Sequence, residues 1–197
     1  MKFILFFMIS FFVGAFPTAY IVVKRLKGVD VRTQGSGNVG ATNVFRVLGK
    51  GPGSFVFFVD FIKGALPAFF LTTLLNPQPD RVTETILLLG LGAIFGHVLT
   101  PLLNFRGGKG VATGAGVVFA ALPLLFAGAV LVWVISFKFL RTVSLSSILA
   151  IFVLLVECLL TRQRTGVIFI FAFLATFILW THRSNISRLI RGSENKL

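Results

Sequence analysis

Charged residues are scarce in this sequence, and cysteine is almost absent. Only 13% of the 197 residues are charged, about half the share of a soluble domain, and Cys158 is the single cysteine. One cysteine excludes a disulfide scaffold, and no group of Cys and His residues has the spacing of a metal site. We therefore expect neither a disulfide framework nor a bound metal.

Apolar residues dominate what is present. They make up 56% of the chain, phenylalanine occurs 24 times, and the mean hydropathy is +0.95. Such a content excludes a disordered chain, and a soluble fold of this length has too little interior to bury it. The sequence therefore predicts an integral membrane protein, folded as a single domain over residues 1–197.

The charge balance is strongly basic, with 19 Lys and Arg against 6 Asp and Glu and a formal net charge of +13. In a soluble protein this excess would suggest nucleic acid binding. In a membrane protein it has a topological explanation, since cytoplasmic loops collect Lys and Arg. We therefore expect the lipid bilayer, and no nucleic acid, as the partner of these charges.

Apolar stretches long enough to cross a bilayer recur along the chain. About 20 helical residues are needed, and the candidates are residues 3–23, 54–75, 85–105, 142–160 and 165–180. A cleaved secretory signal is the alternative for the first stretch, but its heavier basic flank follows the apolar run, at Lys24, Arg25 and Lys27. We expect a retained helix whose N-terminus lies outside.

Residues 110–137 form 28 consecutive uncharged positions, too many for one ordinary span. Pro123 lies near the middle, so the segment is either one long kinked helix or two short helices. All four basic segments face the cytoplasm only if this segment crosses twice. Those segments are 24–50, 106–109, 138–141 and 182–196. The pattern favours an all-α fold of seven transmembrane helices, two of them short around Pro123, with the N-terminus outside and the C-terminus cytoplasmic.

The first of three polar islands covers residues 34–46, QGSGNVGATNVFR. It contains G-x-G-x-x-G, but no strand precedes it, so the dinucleotide-binding interpretation fails. Glycines let backbone N–H groups converge on an anion, and Arg46 adds a guanidinium that can hold two phosphate oxygens. Further donors come from Ser36, Asn38, Thr42 and Asn43. The alternative is a flexible loop between two spans.

The second island, residues 104–114, places Arg106 and Lys109 in a glycine-rich turn before the next helix. A helix N-terminus after such a turn favours phosphate binding, and a tight turn with ordinary cytoplasmic charges is the alternative. His97 lies two turns upstream and is expected to be a packing histidine.

The third island, residues 181–195, ends the chain. If it is helical, His182, Asn185 and Arg188 recur every three residues and share one face. A basic tail lying on anionic lipid is the alternative. Three donor-rich basic islands on the cytoplasmic side predict a site for phosphorylated substrates, whose chemistry rests on phosphate electrostatics and positioning.

Two other function classes compete with this interpretation. An anion channel or transporter needs basic residues deep in several spans, where only Lys63 and His97 qualify, and Lys63 has Asp60 as its obvious partner. An acyltransferase with a His-x4-Asp motif is excluded, because the fifth residue after His97 is Leu102 and the fifth after His182 is Ser187.

Taken in order, the islands resemble the three signature motifs of the acyl-phosphate:glycerol-3-phosphate acyltransferase family of bacterial membrane enzymes. GSGNVGATNVFR (35–46) is similar to the first motif, GHVLTPLLNFRGGKGVATGAG (96–116) to the second and HRSNISRLIRGSE (182–194) to the third. The resemblance implies a seven-helix protein of the cell inner membrane, an active site on the cytoplasmic side and no cofactor. It also implies an acyl phosphate as donor, glycerol 3-phosphate as acceptor and lysophosphatidic acid as product.

Residue roles follow from the same resemblance. It implies essential catalytic groups at Ser36, Arg46, His182 and Asn185. It implies that glycerol 3-phosphate is held by Gly107, Gly108 and Lys109, and that Glu194 is mainly structural. To the substrate-binding set we add Gly35, Gly37, Asn38, Thr42 and Asn43 from the first motif and, on chemical grounds, Ser147 and Arg188.

An acyl phosphate is an activated mixed anhydride, so the mechanism needs no acyl-enzyme. The 1-hydroxyl of glycerol 3-phosphate attacks the carbonyl while the glycine-rich loops stabilise the departing phosphate. His182 is one candidate for the general base, and the donor's own phosphate oxygens are the other. The oligomeric state stays open, with a monomer among the alternatives.

Overall fold

A computed structural model describes all 197 residues, and its regular structure is helical throughout. Ten α-helices follow one another along the chain. They are α1 (Lys2–Gly14), α2 (Thr18–Lys27), α3 (Ala41–Leu48), α4 (Lys50–Leu75), α5 (Val82–Val98), α6 (Val111–Ala121), α7 (Pro123–Leu140), α8 (Val143–Leu160), α9 (Thr165–Thr181) and α10 (Arg183–Ile190). Three short 3-10 turns lie at Val31–Thr33, Pro79–Arg81 and Pro101–Leu103.

Five helical segments are long and apolar enough to cross a membrane, and the pair α9 and α10, bent by 62°, can make a sixth. The predicted break at Pro123 is present, because α6 ends at Ala121 and α7 begins at Pro123. Proline suits the first helical position, where its missing N–H would have no partner. Of the two helices that were expected to be short around Pro123, only α6 is short, with 11 residues against 18 in α7.

The expected span over residues 3–23 lies within the candidate span Lys2–Lys27, but it is not one continuous helix, because the helix breaks between Gly14 and Thr18. Pro17 has no N–H to continue the helical ladder, and its ring crowds the preceding turn. The break leaves backbone carbonyls that need other donors. Thr100 Oγ1 donates to the carbonyl of Ala15 at 2.6 Å, and Lys63 Nζ donates to the carbonyl of Phe16 at 2.9 Å.

The chain packs as two compact units, Met1–Ala121 and Leu122–Leu197. In the first unit α4 packs against α5 and α6, and α1 packs against α5. In the second unit α8 packs against α7 and α9. The first unit therefore contains the first two polar islands, and the second unit contains the third.

Glycine lets the backbones of the first unit approach closely, as is typical of membrane helices. A methyl group at Gly116 of α6 would lie 2.0 Å from the carbonyl oxygen of Phe61 in α4. Reciprocally, a methyl group at Gly64 of α4 would lie 2.1 Å from the carbonyl oxygen of Thr113 in α6. We call this reciprocal pair of contacts the α4–α6 seam. It anchors the helix that follows the second island.

Candidate active site

The loop of the first island is organised by a buried asparagine. Asn43 is fully buried, and its amide nitrogen donates to the carbonyls of Val31 and Gln34 at 3.2 and 2.9 Å. Its amide oxygen accepts the backbone N–H of Ser36 at 2.8 Å. These three contacts use both donors of the amide and order the loop. Substrate binding by Asn43 stays a prediction.

Two of the three glycines of the first island have backbone conformations that other residues rarely adopt. Gly35 has φ +56° and Gly37 has φ +71°. A methyl group at Gly35 would also lie within 2.3 Å of the Asn43 amide oxygen. Both glycines are therefore needed to shape the loop around Asn43, whatever else they contact.

The remaining donors of the first island lie where a ligand can reach them. Ser36, Asn38, Thr42 and Arg46 are half-buried. Thr42 and Arg46 are four residues apart in α3 and so share a helix face. The N-terminus of α3 follows the loop directly, and its partial positive charge favours an anion.

The second island is bound to the end of α5 by its backbone. The N–H of Gly107 donates to the carbonyl of Val98 at 3.0 Å, and the N–H of Gly108 donates to the carbonyl of His97 at 3.1 Å. These carbonyls lie in the last turn of α5, where intrahelical donors run out. The N–H groups of Gly107 and Gly108 are therefore engaged within the protein, and the role of Gly107, Gly108 and Lys109 in holding glycerol 3-phosphate stays a prediction.

Close packing also requires glycine at both positions, Gly107 and Gly108. A methyl group at Gly107 would lie 2.0 Å from the carbonyl oxygen of His97. At Gly108 it would lie 2.1 Å from His97 Nε2 and 2.6 Å from the carbonyl oxygen of Val39, which belongs to the first island. The first two islands thus meet at Gly108, as expected for loops that serve one site. Lys109 and the N-terminus of α6 follow immediately.

Beneath these loops lies a buried charge cluster formed by Asp60, Lys63 and His97, which we call the Asp60 cluster. Lys63 Nζ is 2.8 Å from Asp60 Oδ1, and the two side chains are only 6% and 2% exposed. His97 Nδ1 lies 3.8 Å from the same carboxylate oxygen. The predicted pairing of Asp60 with Lys63 is confirmed. Because Lys63 is neutralised and enclosed, it does not form the basic gate that an anion transporter needs.

In the second unit, His182 lies at the junction of α9 and α10. It is 2% exposed, and its Nδ1 is 2.8 Å from the carbonyl oxygen of Ile178. A carbonyl accepts a hydrogen bond, so the neutral ring carries its proton on Nδ1. Nε2 is then the basic nitrogen, which is the arrangement that a general base requires.

The expected helix of the third island is present as α10, and its side chains converge on one carboxylate. Glu194 accepts hydrogen bonds from the Asn185 amide, from Ser144 Oγ at 2.9 Å and from Arg188 Nε at 2.7 Å. We call these four residues the Glu194 knot. The structural role expected for Glu194 fits these contacts, which also tie the Asn185 amide and the Arg188 Nε to it.

Electrostatics favour the charged form of this carboxylate. Burial alone would raise the pKa of Glu194, but the hydrogen bonds from Asn185, Ser144 and Arg188 outweigh it and hold the pKa below its usual value. The knot is therefore intact at neutral pH and is weakened only by strong acid.

Ser147, which is predicted to bind substrate, is engaged within the second unit. It is 5% exposed, its hydroxyl donates to the carbonyl of Val143 at 2.9 Å, and it accepts from Trp133 Nε1 at 3.2 Å. Its only proton is thus committed inside the unit. Substrate contact through that proton would require this bond to break.

The sequence reasoning missed two features of these sites. His97 was expected only to pack, whereas its ring and carbonyl both support the second island. The knot around Glu194 was also not anticipated. The sequence feature that could have indicated it is Glu194 itself, because a single carboxylate in a basic tail usually pairs with the neighbouring cations.

The geometry describes a helical membrane enzyme with two glycine-rich, phosphate-suited loops in its first unit and a basic histidine in its second. Comparison with known proteins then gives the family. The model of the glycerol-3-phosphate acyltransferase family matches residues 4–192. The chain belongs to the glycerol-3-phosphate acyltransferase family.

Curated relatives cover nearly the whole chain. The glycerol-3-phosphate acyltransferase of Endomicrobium trichonymphae is 44% identical over 195 residues, 98% of this chain and 95% of the relative. The enzyme of the same name from Aquifex aeolicus is 42% identical over 175 residues, 89% of each chain. The one from Staphylococcus aureus strain Newman is 39% identical over 202 aligned positions, covering 100% of this chain and 98% of the relative.

Two solved structures have the same fold. PlsY (YgiH), an integral membrane glycerol 3-phosphate acyltransferase, superposes in its glycerol 3-phosphate form with a TM-score of 0.91 at 36% identity, covering 100% of this chain and 96% of PlsY. Its lysophosphatidic acid form gives a TM-score of 0.88 at the same identity and coverage. The chain is therefore an integral, multi-pass membrane acyltransferase that acts on glycerol 3-phosphate in phospholipid synthesis.

Proposed function

We propose that this enzyme transfers a fatty acyl group from an acyl phosphate to the 1-hydroxyl of glycerol 3-phosphate, with lysophosphatidic acid and phosphate as products. The observation that carries the proposal is the meeting of two anion-suited loops at Gly108, beside Val39. Two phosphorylated substrates need two neighbouring phosphate subsites, and each loop leads into a helix N-terminus. The similarity to PlsY in its glycerol 3-phosphate form supports the acceptor.

The chain's own residues supply positioning and charge. Arg46 and Ser36 bind the phosphate of the donor, and Lys109 binds the phosphate of glycerol 3-phosphate. The C–O bond to the acceptor forms as the acyl–phosphate bond breaks, and the leaving phosphate gains charge beside Arg46. Because the donor is already activated, neither an acyl-enzyme nor a cofactor takes part.

The acceptor's hydroxyl proton has two candidate destinations. His182 Nε2 is one, supported by the Nδ1 contact with the carbonyl of Ile178. A phosphate oxygen of the donor is the other, since the phosphate is bonded to the reacting carbonyl carbon and its oxygens lie close to the attacking hydroxyl. His182→Gln separates them: a loss in kcat that removes the acidic limb of the pH profile, where a base is protonated and inactive, supports His182, whereas an unchanged pH profile supports the donor phosphate.

We further propose the topology that the positive-inside rule favours. Residues 1–197 form one catalytic domain of seven spans in the cell inner membrane, with the N-terminus outside and the C-terminus and active site cytoplasmic. The family match over residues 4–192 supports a single domain. A cysteine introduced at Ser193 in a Cys158→Ser background should react with an impermeant reagent only from the cytoplasmic side. Labelling in intact cells contradicts the topology.

The donor is tested directly with purified enzyme. Palmitoyl phosphate and glycerol 3-phosphate should give lysophosphatidic acid, measured by mass spectrometry, with release of inorganic phosphate. Parallel reactions with palmitoyl-CoA and palmitoyl acyl carrier protein should give no product. Activity with either thioester and none with palmitoyl phosphate would overturn the proposed donor.

A further inference from the structure

A small polar cavity lies in the first unit next to the Asp60 cluster. It leaves about 10 Å³ for the centre of a water-sized sphere, close to the minimum needed for one water molecule. All three members of the Asp60 cluster line it, together with Thr18 and Gly107. The cavity therefore reaches from buried charges to the backbone of the second island.

Two buried oxygen atoms at this cavity have unused hydrogen-bonding capacity. Thr18 Oγ1 has no hydrogen-bond partner, and Asp60 Oδ1 is contacted by the Lys63 ammonium at 2.8 Å, which leaves a lone pair for a further donor. Buried polar groups without partners are rare and costly, and an ordered water commonly satisfies them. Asp60 and Thr18 are 1% and 4% exposed, so bulk solvent does not meet this need.

The cluster is connected to the second island by His97. On one side, His97 Nδ1 faces the Asp60 carboxylate at 3.8 Å. On the other, its Nε2 edge packs against Gly108, and its carbonyl accepts the Gly108 N–H. A shift of the carboxylate or of His97 therefore moves the turn that carries Lys109.

An ion pair in this position is expensive to maintain. Burying two charges costs free energy that their attraction repays only with good geometry, and an apolar pair of similar volume is often as stable. A gain in stability is therefore a weak explanation for an ion pair between Asp60 and Lys63 in this interior. The position of the pair next to the glycine-rich turn suggests a role in positioning that turn.

We propose that the Asp60 cluster, together with one enclosed water bound to Asp60 and Thr18, is a positioning device that holds the Gly107–Gly110 turn in the conformation that binds the phosphate of glycerol 3-phosphate. Asp60, Lys63 and His97 do not touch the substrate. This inference rests on the proposed function, which assigns that phosphate to Lys109 and its turn.

The test compares two single variants, Asp60→Asn and Lys63→Met, with the double variant. Each single change leaves one buried charge unpaired, so thermal stability in detergent should fall. The double variant removes both charges and should recover the part of that stability that the unpaired charge costs, although the hydrogen bond from Lys63 to the Phe16 carbonyl is still lost. If the pair positions the turn, the KM for glycerol 3-phosphate should stay about 10-fold raised in the double variant, with the KM for palmitoyl phosphate changed less than about 2-fold.

A purely structural pair gives a different result. The double variant would then regain the wild-type KM for glycerol 3-phosphate as its stability recovers, and the inference is wrong. Equal changes in the KM values for both substrates would also overturn it. Glu157→Gln is the matched control, since it neutralises a carboxylate of α8 in the second unit and should leave the ratio of the two KM values unchanged.

A third variant tests the water without disturbing charge. Thr18→Val keeps the shape of the side chain and removes one of the two oxygens that need the water. Stabilisation of the purified protein against heating by glycerol 3-phosphate should then require about 2- to 5-fold more ligand. If glycerol 3-phosphate stabilises Thr18→Val as well as it stabilises the wild type, the enclosed water has no role in positioning the turn. Failure of the wild-type enzyme itself to use palmitoyl phosphate and glycerol 3-phosphate would reject the proposed function, which separates that failure from this one.

Discussion

The two units hold their functional residues by different physical means. In the first unit, the loops are fixed by backbone hydrogen bonds, by glycines in close contact and by an enclosed ion pair. In the second unit, Asn185 and Arg188 are fixed by side-chain hydrogen bonds to Glu194, and the Arg188 side chain is 34% exposed. The first arrangement has no room for an added atom, whereas the second depends on charge.

This contrast predicts opposite sensitivities. A methyl group added at a closely packed glycine of the first unit should damage it, because the backbone atoms that it meets cannot move aside as side chains do. A change of charge that preserves shape should damage the second unit, because charge-assisted hydrogen bonds are roughly twice as strong as neutral ones. Each of the following predictions challenges one side of the contrast.

The largest effect is expected at Arg46, where the first unit also depends on charge geometry. Arg46→Ala should remove nearly all activity, and Arg46→Lys most of it, because an ammonium cannot hold two phosphate oxygens as a guanidinium does. Loss of a contact that strengthens as the leaving phosphate gains charge should cost about 2–4 kcal/mol, roughly 30- to 1000-fold in rate. Steady-state kinetics on purified, folded variants measure it.

Two comparisons control the Arg46 result. Arg162→Lys, between α8 and α9, should leave the rate almost unchanged. Arg188→Lys should cost less than Arg46→Lys, because a lysine can still pair with Glu194. Should Arg46→Lys keep more than about half of the wild-type kcat/KM, the bidentate role is wrong and Arg46 is an ordinary cytoplasmic charge.

The next effect is on stability, at the α4–α6 seam. Gly116→Ala would place a methyl group 2.0 Å from the carbonyl oxygen of Phe61, so the two helices must separate. Overpacking of this kind should cost about 1–3 kcal/mol and lower the melting temperature in detergent. Gly51→Ala in α4 is the matched control, since nothing lies within 4 Å of the added atom. Equal melting temperatures for the two variants would contradict the seam.

A smaller and more selective effect is expected at Gly108. Gly108→Ala introduces a methyl group that collides with His97 Nε2 and the Val39 carbonyl, which distorts the turn that carries Lys109. The KM for glycerol 3-phosphate should rise about 10-fold, near 1.4 kcal/mol, and far more than the KM for the acyl donor.

Gly114→Ala in α6 provides the control for Gly108. Its added methyl group would meet only Ile94 Cδ1, at an ordinary contact distance of 3.7 Å. Both KM values should therefore stay near those of the wild type. If Gly108→Ala raises both KM values by the same factor, the turn has only a structural role and does not bind glycerol 3-phosphate selectively.

The smallest effect concerns the acid dependence of the second unit. Because the folded-state pKa of Glu194 is lowered, the knot's stabilisation is complete above the ordinary value of 4.5 and is lost as pH falls through the lower, folded-state pKa. Wild-type thermal stability should therefore decline below about pH 4.5, and Glu194→Gln should decline less over the same range. Parallel curves for the two proteins would show that Glu194 does not hold the tail.

Local patterns predicted much of this structure from the sequence. The pairing of Asp60 with Lys63 follows from their spacing along one helix. The helix of the third island and the shared face of Asn185 and Arg188 follow from a three-residue repeat. Pro123 indicated the start of α7 because proline fits best in the first turn of a helix.

Long-range packing accounts for what the sequence did not reveal. The break at Pro17 is stable because Thr100 and Lys63, distant in sequence, satisfy the freed carbonyls. The engagement of the Gly107 and Gly108 amides depends on where α5 ends. Burial of Asn43 likewise depends on the path of the loop around it. None of these contacts leaves a periodic trace in the amino-acid order.

The α4–α6 seam has a consequence for how the protein is made. At 1.5 Å per residue, the 11 residues of α6 extend only about 16 Å, roughly half of a 30 Å hydrocarbon core. A helix of that length gains too little apolar contact with lipid to leave the translocation channel by itself. We expect it to enter the bilayer only when it packs against α4, which is synthesised earlier and offers Gly64 at the contact. Release of α6 into lipid is therefore expected to follow its pairing with α4.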